Sequence, residues 1–210
     1  MTNSSGSRRG RLPAAERAAR EHAILDAAEQ VLIDDGIEAM SMLAVARRAG
    51  ASKQTLYAWF GDRDGLIRAI IRRNADASAE TIAAALATDA PATDVLTGYA
   101  TGLLTLLTRP QSIALNRAAM TSPGLAAELL RSGRHRVGPI VERYLAQLHD
   151  DGVLHVPDPV DAFTLLYGLV VRDTQIRVLL GDDPPTTDEI HERVAAAVSA
   201  FVARCSLDAT

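Results

Sequence analysis

Two short helical stretches, each opened by a serine, meet at Gly50, and this arrangement limits what the chain can build. Ser41 precedes a stretch over residues 42–49, and Ser52 precedes one over residues 53–60. A serine hydroxyl at such a position accepts a hydrogen bond from a first-turn N–H that has no partner inside the helix. Gly50 is free to take the positive φ that a tight turn needs. Ala46 is small enough for two helices to cross closely, and Val45, Ala49 and Leu56 supply a small core beneath them. The spacing predicts a helix-turn-helix unit. Its second helix then exposes Lys53, Gln54, Thr55, Tyr57 and Ala58, and an N-terminus with short polar and cationic side chains suits a DNA major groove.

The rest of the chain repeats one grammar. Ile24, Leu25, Ala28, Val31 and Leu32 recur at helical spacing, with Gly36 as a stop. Asp62 is placed to cap a longer helix that carries Leu66, Ile67, Ile70 and Ile71 on one face. Beyond it, proline and glycine breakers divide helical segments over about 93–108, 111–121, 124–149 (interrupted near 133–139), 160–180 and 187–204. No useful stretch alternates as a strand does. The expectation is an all-α chain of about nine helices. It divides into an arm (1–13) bearing Arg8, Arg9 and Arg11, a helix-turn-helix domain (14–61) and a C-terminal bundle (62–210).

Charge is uneven along this layout. Residues 1–75 hold 12 Lys/Arg against 9 Asp/Glu, while residues 76–210 hold 10 against 17, within a net charge of −4. A basic first third on an acidic body fits an anionic partner at one end. The single cysteine, Cys205, allows no internal disulfide framework and no multi-cysteine metal site. No run of 18 apolar residues occurs and the N-terminus has no apolar signal core, so a soluble cytoplasmic protein without a membrane partner is expected.

The run Ala46–Arg47–Arg48–Ala49–Gly50–Ala51–Ser52–Lys53–Gln54–Thr55–Leu56–Tyr57–Ala58–Trp59–Phe60, followed by Asp62, Arg63 and Leu66, resembles the TetR family of bacterial transcriptional regulators. So does the preceding helix with Ile24–Leu25–Asp26–Ala27–Ala28. The resemblance covers about residues 20–68. It implies double-stranded operator DNA as a partner, with contacts from Ser41, Met42, Ser52, Lys53, Gln54, Thr55, Tyr57, Ala58 and Arg63. Tyr57 would reach a phosphate, and Arg63 would do so where the family commonly has lysine. Trp59 and Phe60 read as core, and Arg47 and Arg48 as solvated. The arm could enter a minor groove or merely solubilise the chain.

The resemblance further implies a homodimer through the last two long helices. The segment over 160–180 is apolar almost all round between Ala162 and Val171, so it needs cover on both sides. It also implies a small effector bound in the bundle, for which Tyr99, Leu103, Met120, Tyr144, Phe163, Tyr167 and Arg172 are candidates. Few hydroxyls on an aliphatic wall suit a largely apolar ligand. Activation instead of repression, and ligand-independent regulation, are alternatives within this class.

Catalysis finds little support. His149–Asp150 has the form of a metal-binding pair of all-helical hydrolases, without the accompanying ligands; a metal-dependent helical enzyme is the alternative from another class. His191–Glu192 lacks the second histidine of a zinc motif, because position 195 is Ala. No phosphate-binding glycine loop and no GxSxG nucleophile motif occurs. No cofactor and no metal is expected.

Overall fold

The computed structural model describes residues 13–206, so Arg8, Arg9 and Arg11 of the expected arm lie outside the described residues. Among the described residues there are twelve α-helices and no strand. The N-terminal group comprises α1 (Ala14–Asp34), the one-turn α2 (Gly36–Ala39), α3 (Met42–Arg48), α4 (Lys53–Phe60) and the long α5 (Arg63–Leu86). The serine and aspartate caps form as the residue types require. Ser41 Oγ accepts from the Ala44 N–H at 3.1 Å, Ser52 Oγ from Thr55 at 3.0 Å and Asp62 Oδ1 from Gly65 at 2.6 Å. Gly50 takes φ +58° between α3 and α4. Gly65 lies against the end of α4: a Cβ there would stand 1.9 Å from the Phe60 carbonyl oxygen, so the close α4–α5 junction requires glycine.

The C-terminal part contains α6 (Ala92–Thr108), α7 (Pro110–Met120), α8 (Pro123–Ser132), α9 (Arg134–Asp150), α10 (Pro159–Val171), α11 (Thr174–Leu180) and α12 (Thr187–Arg204). Twelve helices replace the expected nine or so, for local reasons. The segment over 124–149 breaks once, at Gly133, and continues through Pro139 inside α9. Proline there sits in the second turn, where it removes only one donor to the preceding turn. The segment over 160–180 breaks at Arg172, which takes φ +48° without being glycine. This unfavourable backbone lets α11 leave the line of α10 and pack on α6 and α7. Arg117 of α7 then donates to the carbonyls of Val178 and Leu179 at 3.1–3.3 Å, satisfying the C-terminal end of α11.

Two apolar cores result. One gathers Ile24, Ala28 and Val31 of α1 with Val45, Leu56, Leu66 and Ile70, and it also takes Leu115, Ala118 and Leu125 from α7 and α8. The other gathers Leu96, Tyr99 and Leu104 with Leu145, Leu166, Val194, Val198 and Phe201. Helix α5 contributes to both, through Ile67 and Ile70 at one end and Leu86 at the other. A rigid rod shared by two cores is a direct mechanical link between them.

A polar clamp strengthens that link. Arg73 on α5 donates to Asp26 at 2.6 Å and to Glu29 at 2.9 Å on α1, and Asn74 donates to the other Glu29 oxygen at 2.6 Å. Arg73 and Glu29 are mostly buried, so removing one partner strands the other away from water. Arg73→Met should therefore lower stability by about 2 kcal/mol, a few degrees in Tm. Urea unfolding read by circular dichroism checks this, and an unchanged midpoint would mean that the clamp contributes nothing.

Candidate DNA-reading helix and effector cavity

Helix α4 turns one face inward and leaves the other free. Leu56 is fully buried against the first core, while Lys53, Gln54, Tyr57 and Ala58 are exposed. The phenol of Tyr57, half in solvent, projects from this helix beside the exposed cation of Lys53. Thr55 is only partly accessible, and its hydroxyl lies 2.8 Å from Ser52 Oγ. Ser41 and Ser52 are exposed, and both hydroxyls are already acceptors for the helix caps. Ser41 keeps a proton to donate, which suits a phosphate oxygen, while the Ser52 hydroxyl shares a hydrogen bond with Thr55 Oγ1. Arg63 opens α5 just beyond α4, its exposed side chain 3.5 Å through Nε from the part-buried Asp64, a weak pair that leaves the guanidinium able to meet a phosphate.

One expected contact changes place. Met42 is buried at 5% exposure in the first core, and Leu43, its neighbour, takes the exposed position on α3. A seven-residue helix has a single inward stripe, and Met42, Val45 and Ala46 occupy it. Trp59 and Phe60 are half-buried and meet edge to face at 6.4 Å, and the Arg17 guanidinium lies 5.4 Å from the Trp59 ring centre. Both rings brace α4 on α1 and α5. Arg47 is exposed, and Arg48 is exposed and paired with Asp34 at 2.8 Å.

The second site is a cavity of about 290 Å³ lined by α5 to α11, near the lower end of the sizes that hold small ligands. Of the expected residues, Tyr99, Leu103, Phe163 and Tyr167 line it. Met120 does not: it is 67% exposed at the end of α7. Tyr144 is half-buried on α9 beside the second core and does not line the cavity. Arg172 lines a different hollow, of about 740 Å³, between α10, α11 and α12. Burial raises the pKa of the Tyr99 phenol far above its usual range and that of Tyr167 more modestly, so both are neutral hydrogen-bond donors.

Sequence reasoning missed the polar part of this cavity. Asn74 and Ser78 of α5, Arg109, Ser112, Asn116 and Arg134 all line it. The Arg134 guanidinium lies 5.1 Å from the Phe163 ring centre and 4.6 Å from that of Tyr167, held over two aromatic faces. The available signal was that neither Arg109 nor Arg134 has an acidic residue three or four positions away, a property that Arg117 and Arg136 share.

The hollow between α10, α11 and α12 has a different character. Gly168, Leu169, Ala196 and Ala200 give it a floor of small and apolar residues, rimmed by Arg172, Arg177, Asp182, Glu189 and Arg193. Helix α10 keeps Leu165 exposed on this side. Phe201, by contrast, points into the protomer's own core. Among the described residues no group of three or more His, Cys, Asp or Glu is placed to hold a metal ion, and no helix is long and apolar enough to cross a membrane. His149 meets His155 edge to face at 5.7 Å instead, and its Nδ1 accepts the Val156 N–H at 3.3 Å.

Comparison with known proteins agrees with this geometry over most of the chain. Residues 24–70 match the family described as bacterial regulatory proteins, tetR family. Residues 94–205, over half of the chain, match the C-terminal domain described as AefR-like transcriptional repressor. A TetR transcriptional regulator from Agrobacterium tumefaciens of known structure is 32% identical, with a TM-score of 0.74, over 90% of this chain and 96% of that one. A TetR-family regulator from Mesorhizobium loti MAFF303099 shares the fold at a TM-score of 0.82 and 23% identity, over 90% of this chain and 98% of that one. The HTH-type transcriptional regulator AlkX of Mycobacterium tuberculosis is 38% identical over 78 residues, 36% of this chain; the match spans 37% of AlkX's own length. With the helix-turn-helix, the shared α5 and the helical body all in place, the chain belongs to the TetR family of bacterial transcriptional regulators.

Proposed function

We propose that the chain is a homodimeric, ligand-responsive repressor that acts in the cytoplasm by binding a palindromic operator, and that it performs no catalysis. The observation that carries this reading is the exposed face of α4, where Lys53, Gln54, Tyr57 and Ala58 stand clear of solvent-excluded contacts. Residues 14–61 serve as the reading domain and residues 62–210 as the effector and dimer domain, with the arm at 1–13 available to the backbone. Lys53 and Gln54 read base edges, Tyr57 and Arg63 hold phosphates, and Ser41, Ser52 and Thr55 support them. Ala58 offers a methyl contact to thymine.

The dimer forms through α10 and α12, on the face lined by Leu169, Ala196 and Ala200. A two-fold axis there sets both α4 helices in successive major grooves, about 34–36 Å apart. The effector occupies the cavity between α5 and α10. Asn74 lines that cavity and also holds Glu29 of α1, so a ligand that displaces α5 acts directly on the reading domain. The bound and unbound forms must differ in head spacing, and a ligand selective by about 1–3 kcal/mol would weaken operator binding roughly 5–150-fold.

Substitutions on α4 and α5 test the reading domain. Tyr57→Phe or Arg63→Ala should weaken binding to all duplexes alike, and Arg63→Ala should lower the salt slope by about one unit. Lys53→Ala or Gln54→Ala should instead alter base preference, at about 1–3 kcal/mol per lost bidentate contact. Fluorescence anisotropy on a selected duplex and its single-base variants separates the two. Unchanged affinity after both Lys53→Ala and Tyr57→Phe would remove α4 as the reading helix.

A further inference from the structure

We propose that the cavity between α5 and α10 is built for an organic anion, with an apolar body along α6 and α8 and a carboxylate at the Tyr99–Arg134–Tyr167 end. This deepens the effector reading above and rests on it. Three observations converge. Arg109 and Arg134 both line the cavity, and no Asp or Glu does. Among the described residues neither guanidinium has a carboxylate within 4 Å, whereas nine other arginine–carboxylate pairs are made. Tyr99 Oη and Arg109 Nε are also buried polar atoms with no hydrogen-bond partner.

An orphaned buried donor costs about 1–3 kcal/mol, so natural proteins rarely keep one without a use. Tyr99 is 3% exposed and its hydroxyl stays protonated, so it offers a hydrogen to an acceptor. Arg134 is held over Phe163 and Tyr167 by stacking, which orients its N–H groups while leaving them free of an acidic partner. Glu142 Oε1 and the Phe163 ring both come within 3.3 Å of where a Cβ on Gly138 would stand, and Glu128 of α8 accepts from Ser132 at 2.9 Å and from Arg131 at 3.1 Å. Arg72 also approaches it, at 4.0 Å, so its charge is already answered. Arg109 ends α6 ten residues beyond Tyr99, about 15 Å along the helix, and adds a second positive charge to the same cavity. Leu103, Leu106, Leu107 and Leu129 line the space between. The largely apolar effector expected from the sequence would leave the buried Tyr99 hydroxyl unpaired unless it carried an acceptor at that end.

The test uses three matched probes on the purified full-length protein: octanoate, octan-1-ol and octylammonium. Titration calorimetry should find octanoate tighter than octan-1-ol by about tenfold or more, with octylammonium weakest, as a charge-assisted hydrogen bond requires. Tyr99→Phe and Arg134→Gln should each reduce octanoate affinity by roughly tenfold and leave octan-1-ol within about threefold. Equal affinity for octanoate and octan-1-ol overturns the proposal. So does a preference for the acid that survives both substitutions, or the failure of octanoate to bind at about 5 mM. Operator release, read in the same samples, separates this from the effector reading. An acid that binds through Arg134 but leaves DNA bound keeps the anion site and contradicts the effector role. A neutral probe that binds as tightly and releases DNA does the reverse.

Discussion

Leu169→Asp should give a folded monomer that no longer holds a palindromic duplex. Leu169 stands on α10, partly covered by its own protomer and facing the hollow that Gly168, Ala196 and Ala200 also line. In a two-fold dimer each carboxylate would be buried beside an apolar partner surface, with its symmetry mate nearby, at a cost of several kcal/mol. The protomer core lies on the other side of α10, around Ala162, Phe163, Leu166 and Val170, so folding should survive. Loss of the second reading head removes the effective-concentration advantage, worth about 10²- to 10⁴-fold in affinity. Sedimentation with anisotropy on the same sample checks both parts. A dimer that persists at micromolar concentration would place the interface elsewhere.

Phe201→Asp should act at a different level and unfold the chain. Phe201 lies on the same helix as the proposed dimer face, but its ring is fully buried among Leu96, Leu166 and Val198. Removing a buried phenyl costs about 3–5 kcal/mol, and an unpaired carboxylate in its place costs more. Against a typical stability of roughly 5–15 kcal/mol, this leaves little or no native protein. Circular dichroism and thermal melting at neutral pH read the outcome. A cooperative melt near that of the unchanged protein would contradict the placement of Phe201 in the core.

The contrast between these two positions marks what was legible before any coordinates. Leu169 falls in the apolar segment over 160–180 and Phe201 in the segment over 187–204, but periodicity cannot say whether a side chain faces the protomer or its mate. The reading unit was plainest because its signals are local. Ser41, Gly50, Ser52 and Asp62 are each decided by the backbone geometry next to them, and the α4 boundaries at 53 and 60 follow. The Met42 contact came from the resemblance, and α3 turns that side chain inward with Val45 and Ala46; local reading has its limit elsewhere. It failed at Arg172 because nothing but tertiary packing of α11 on α6 and α7 demands the positive φ there.

The cavity was half legible. Tyr99, Leu103, Phe163 and Tyr167 are apolar or aromatic residues on long inward stripes, and those stripes converge. Arg109 and Arg134 sit at helix junctions, where side-chain direction depends on how α6, α7 and α9 meet rather than on spacing. Met120 was misplaced for the same reason, at the C-terminal end of α7, where it is exposed.

The central claim is that two copies of α4 read one inverted repeat. Selection of bound duplexes from a random pool by the full-length protein, followed by a titration of the enriched sequence against salt, tests it most directly. The expected result is an inverted repeat with half-site centres one helical turn apart, bound by two protomers, with affinity falling steeply and log-linearly as salt rises. Enrichment of no sequence, or of one without two-fold symmetry bound by a single protomer, would contradict it.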